Sequence, residues 1–77
     1  MVETAVKQNT ISVFKTDISP YQRDYAIQLL APLTAIKEVD IDFEDRDHIL
    51  RIVSDGDLAS KIESILISKD IYCLELH

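Results

Sequence analysis

Thr10-Ile11-Ser12-Val13-Phe14-Lys15-Thr16-Asp17-Ile18-Ser19-Pro20-Tyr21-Gln22 changes its periodicity partway along, and that change decides the fold. Up to Ile18 the residues alternate. Ser12, Phe14, Thr16 and Ile18 fall on one face, and Ile11, Val13 and Lys15 on the other, as in a strand rich in β-branched side chains. At Ser19 the pattern turns helical. A serine before Pro20, with Gln22 three residues on, predicts a capped helix start. Ala26, Leu29, Leu30 and Leu33 then recur at i, i+3, i+4 and i+7, the stripe of a helix packed on one side. Pro32 lacks an amide donor and clashes with the carbonyl of Gln28, so the helix kinks there or stops near Ala31.

Downstream, Val39, Ile41 and Phe43 alternate with Asp40, Asp42 and Glu44, which predicts a strand with one buried and one wet face. Glu44 to Asp47 reads as a turn, and His48 to Val53 as the returning strand of a hairpin. Ser54 to Asp57 leads to a second helix with Leu58, Ile62, Ile65 and Leu66 on one side and Lys69 at its end. Ile71 to Leu76 closes the chain as a short strand. The order βαββαβ predicts an α+β, ferredoxin-like fold, a four-stranded antiparallel sheet with both helices on one face. Residues 1–9 are expected to form a loose tail carrying Val2, Ala5 and Val6, and residues 10–77 the single domain.

Composition narrows the function classes. The 77 residues carry eight basic and fourteen acidic side chains, a net charge of −6, which disfavours phosphate backbones and anionic lipid. No nucleic-acid or membrane partner is therefore expected. A stretch of roughly 20 apolar residues, the length needed to cross a bilayer, is absent, as is a leader pattern, and the expected location is cytoplasmic. The single Cys73 forms no internal disulfide, and the single Gly56 leaves no glycine-rich phosphate loop.

From Thr10 onward the chain resembles the heavy-metal-associated domain family, the small copper chaperone-like modules. The resemblance rests on size, element order and the junction of Phe14, Thr16, Ile18 and Ser19. In that family the junction carries Met-Thr-Cys-x-x-Cys, whose two thiolates hold Cu(I) or a similar soft ion. Here Ile18 and Ser19 stand for Met and Thr, and Pro20 and Arg23 for the two cysteines. Neither supplies a thiolate, so the resemblance implies the fold without the metal pair. Near the end of the second helix, Asp70 stands where the family has glycine. The run from Asp42 to Arg51 resembles a segment in a cysteine-less group of small bacterial proteins of this fold.

Other candidate chemistry is thin. The carboxylates of Asp40, Asp42, Glu44, Asp45 and Asp47 suggest a hard-cation site. The EF-hand pattern fails, however, because Asp45 holds its glycine position and Arg51 its closing glutamate. Cys73, Glu75 and His77 share a strand face but span roughly 13 Å at strand rise. His48 beside Asp47 lacks a placed nucleophile, and Arg23 at a helix start lacks the glycine loop of the acylphosphatases that share this fold. Base stacking on the sheet is excluded, since Phe14 and Phe43 are expected to face the helices. No catalytic residue, resident cofactor or metal site is expected.

The remaining feature is the face of the sheet away from the helices. Phe14, Val39, Ile41, Phe43, Leu50, Ile52, Tyr72, Leu74 and Leu76 are expected to point to the helices. Ile11, Val13, Ile49, Val53, Ile71 and Cys73 are then expected to point away, with Asp40, Asp42 and Glu44 beside them. An apolar centre with an acidic margin predicts a non-enzymatic binding module that uses this face for a protein partner or self-association. One competing expectation is that the apolar face reflects β-propensity alone or is covered by the tail. Another is a residual copper- or zinc-handling role, with Cys73 or a histidine in a site shared between chains.

Overall fold

A computed structural model of the chain describes residues 9–77, so Val2, Ala5 and Val6 lie outside the described residues. Strand β1 (Asn9–Thr16) passes through a 3-10 turn (Pro20–Gln22) into helix α1 (Arg23–Leu30). Strands β2 (Ile36–Asp42) and β3 (Ile49–Asp55) follow, then helix α2 (Ala59–Ile67) and strand β4 (Cys73–Leu76). The sheet order is β2-β3-β1-β4, with every neighbouring pair antiparallel. Each helical crossover therefore passes over one strand, the expected ferredoxin-like arrangement.

The core lies between one sheet face and the helices. Phe14, Leu50 and Ile52 from the sheet meet Ala26 and Leu30 of α1 and Ile62 and Leu66 of α2, all buried. Leu29, Leu33, Val39, Ile41 and Phe43 pack around them. The helix start expected at Ser19 is a 3-10 turn that leads into α1 at Arg23, and in it the Gln22 side-chain oxygen accepts the Ser19 amide at 3.0 Å. Helix α1 ends at Leu30, with Ala31 as its cap, because Pro32 cannot continue it.

Several boundaries differ from the sequence expectation by one to three residues, and β2 differs at both ends. Strand β2 starts at Ile36, three residues early, and stops at Asp42, so Phe43 and Glu44 belong to the hairpin loop. The loop ends the strand with its own side chains. The Asp42 carboxylate accepts the amides of Glu44 (2.9 Å) and Asp45 (3.3 Å), and the Asp45 carboxylate accepts that of Asp47 (2.8 Å). Aspartates compete for backbone donors in this way, which is why they favour turns over strands.

The difference on β4 is larger. Ile71 and Cys73, expected on the open face, are core residues at 3% and 4% exposure. Leu74 and Leu76, expected to face the helices, point to the open face instead, and Tyr72, expected with them, is exposed just before the strand. The cause is the end of α2. Asp70 adopts φ 62, the Ile71 amide donates to the Leu66 carbonyl at 3.0 Å, and the Asp70 amide to Ile67 at 3.0 Å. That is a Schellman ending, in which the residue after the left-handed position contacts the helix four to five residues back. Ile71 is thereby held in the core with Leu66, and strand alternation carries Cys73 inward after it.

Candidate functional site

The open face is built from the outward residues of all four strands, and the ladder registers place them in rows. Glu38, Val53 and Ile11 lie across β2, β3 and β1, and Asp40, Arg51, Val13 and Leu76 span the whole sheet. Asp42 pairs with Ile49, and Lys15 with Leu74. Of the six residues predicted for this face, Ile11, Val13, Ile49 and Val53 are there. Ile71 and Cys73 are replaced by Leu74 and Leu76. The signal for this lay in the sequence as the Leu66…Asp70-Ile71 spacing, a hydrophobic pair flanking a residue that tolerates the left-handed region.

The corrected face is more apolar than the expected one. Ile11 is 64% exposed, Leu74 and Tyr72 48%, and Leu76 42%, with Val13, Ile49 and Val53 half-buried between them. The two bases inside this field are paired where they stand, Arg51 with Asp40 at 3.8 Å and Lys15 with Asp47 at 3.5 Å. The acidic margin follows β2 as Glu38, Asp40 and Asp42. Glu38 replaces the expected Glu44, because the strand starts early enough to include Glu38 and ends at Asp42, before Glu44.

The junction between β1 and α1 is held by a polar clamp. The Thr16 hydroxyl donates to the His48 carbonyl at 2.7 Å and accepts the Ile18 amide at 3.2 Å. His48 itself sits at φ 42, with Nδ1 donating to the Ile18 carbonyl and its ring edge-on to Phe43 at 5.8 Å. The Asp17 carboxylate accepts the Tyr72 amide at 2.9 Å, tying the same loop to the approach to β4. His48 is thus a brace for the loop. Next to it, Arg23 is exposed and pairs with Asp24 at 3.0 Å.

These donors do not fit a soft metal ion. Pro20 and Arg23 offer no thiolate, and the one cysteine of the chain lies elsewhere, on β4. Burial, then the negative charges of Glu63 and Glu75, push the Cys73 thiol up to about 12, so it stays protonated. The expected row of Cys73, Glu75 and His77 does not close on an ion either. Among the described residues no group of three or more such ligands gathers. The Glu75 amide donates to the Glu63 carboxylate at 2.7 Å, and His77 lies 3.8 Å from Glu75 at the surface.

The fold is that of the heavy-metal-associated (HMA) domains, as its solved neighbours establish. The N-terminal domain of ZntA in the apo form superposes with a TM-score of 0.74 at 18% identity, covering 91% of this chain and 96% of that one. Its Zn(II) form gives 0.71 at 15% identity, covering 84% and 89%. The apo HMA domain of the copper chaperone for superoxide dismutase gives 0.66 at 12%, covering 100% and 79%. No family model and no curated protein matches the sequence. Among the described residues no helix is long and apolar enough to cross a membrane.

Proposed function

We propose that this chain is a non-enzymatic protein-binding module that docks through the open face of its sheet. The observation that supports it is the contiguous apolar field of Ile11, Val13, Leu74 and Leu76, which no described element covers. Exposed apolar patches rimmed by charge mark interaction surfaces more often than bare protein surface. The acidic margin on β2 suits a partner with an apolar centre and a basic rim. A second copy is the poorer match for the whole face. With strands aligned, β2 of one copy lies over either β2 or β4 of the other, acid on acid or acid on leucine. Self-association is then confined to an offset contact over β1 and β4.

The copper- and zinc-handling reading takes its support from the fold neighbours, one of them solved in a Zn(II) form and another a domain of a copper chaperone. The buried, protonated thiol of Cys73 and the Pro20–Arg23 junction weigh against it here. The test is capture of partners on the purified chain, followed by titration of the recovered protein against wild type, Ile11→Asp and Leu76→Asp, with sedimentation of each variant. Loss of affinity in both variants, with their melting unchanged, supports the reading. A partner that binds both variants as well as wild type overturns it, as does stoichiometric zinc or copper that Cys73→Ser removes.

A further inference from the structure

The outer edge of β2 forms a second surface, which shares its carboxylate row with the margin of the open face. Strand β2 pairs with β3 alone, so alternate amides and carbonyls between Ile36 and Asp42 face outward with no described strand beside them. On the helix side of this edge runs a mostly apolar groove of about 360 Å³, lined by Ile27, Leu30, Leu33, Ile36 and Val39, with exposed Ala31 and the polar Thr34 and Lys37 at its rim. On the other side stand Glu38, Asp40 and Asp42, at two-residue intervals of roughly 6.6 Å. Of these, Asp40 shares its charge with Arg51, whereas neither Glu38 nor Asp42 has an ion pair among the described residues.

We propose that this edge takes up an extended peptide strand whose side chains alternate apolar and basic. Strand addition satisfies the outward backbone groups, and the period of two sends alternate side chains to opposite faces. The apolar set then enters the groove between α1 and β2, and the basic set lies over the carboxylate row. The spacing of the carboxylates is the spacing of the incoming basic residues, which is the charge complementarity that selects this occupant. Lys37, the bulged residue at the groove rim, repels a basic side chain on the groove side and so helps fix the register. A second copy of β2 is disfavoured, because it sets one acidic row against another.

The probe is a blocked hexapeptide, Val-Lys-Val-Lys-Val-Lys, titrated into the isotope-labelled chain at low salt, with Val-Glu-Val-Glu-Val-Glu as control. Expected are amide shifts confined to Ile36–Asp42, Ile27 and Ala31, and slowed exchange of the outward β2 amides. The double charge reversal Glu38→Lys with Asp42→Lys weakens binding about tenfold, as two reversed surface pairs imply. Ala31→Phe, which fills the groove from an exposed position, also abolishes the shifts, while Ile11→Asp leaves them intact. Shifts centred on Ile11 and Leu76, equal binding of the glutamate peptide, or no shift at millimolar peptide overturns the proposal. Because Ile11→Asp and Ala31→Phe strike different faces, failure here is separable from failure of the open-face reading.

Discussion

Alanine at Ile71 and, separately, at Leu74 tests which side of β4 faces the core. Ile71 is 3% exposed and packs with Leu66 beneath the Schellman turn, so truncation opens a cavity. Such a buried isoleucine-to-alanine change costs about 2–5 kcal/mol. Leu74 is 48% exposed and leaves no void, so about half of a leucine's burial term is lost, about 1 kcal/mol. At about 0.05–0.15 kcal/mol per residue, a chain of 77 residues has about 4–12 kcal/mol to lose. With a urea slope of about 1 kcal/mol/M, the unfolding midpoint falls by about 3 M for Ile71→Ala and about 1 M for Leu74→Ala. Urea titration followed by circular dichroism measures both. If Ile71→Ala does not fold, Ile71→Val, at about 0.5–1.5 kcal/mol, keeps the comparison measurable. A Leu74→Ala cost equal to or larger than that of Ile71→Ala refutes the assignment and restores the opposite facing of β4.

Asp70→Gly relieves a left-handed residue at φ 62 and is expected to add about 0.5–1 kcal/mol, a melting temperature higher by about 3–8 °C. An unchanged or lowered melting temperature counts against the strain argument. Cys73 is held protonated up to about 12 in the fold against 9.0 in the reference state. Its contribution to stability is therefore full below pH 9 and is lost as pH rises from 9 to 12, because only the unfolded chain releases the proton there. The stability difference between wild type and Cys73→Ala should drift across that window and stay flat below it. Iodoacetamide at pH 8 should label the native thiol slowly and the urea-unfolded thiol fast, and equal rates would show that Cys73 is not enclosed.

Much of the fold was legible because local signals agreed with one another. The Ser19-Pro20-Tyr21-Gln22 start, the stop at Pro32 and the β-branched alternation of Ile11 to Thr16 each have one physical reading. The structure realises all three. Errors fell where two local rules competed. Asp42 and Asp45 could extend an alternating strand or close a turn through their carboxylates, and the backbone donors of Glu44, Asp45 and Asp47 settled it for the turn. On β4, alternation fixed that Tyr72, Leu74 and Leu76 share a face but left open which face. A period-two pattern of apolar residues on both sides carries no sign.

The sequence alone determined the element order, the turn that enters α1 and the absence of cysteine from the β1–α1 junction, since each depends on residues within one or two turns of one another. Only the tertiary structure decided which way β4 faces and which carboxylates border the sheet. Those depend on the left-handed turn at Asp70, the burial of Ile71 against Leu66 and the ends of β2 at Ile36 and Asp42. The candidate surface came from the same step. A core can be inferred from which residues are apolar, but an exposed apolar face exists only once the helices have covered the other one.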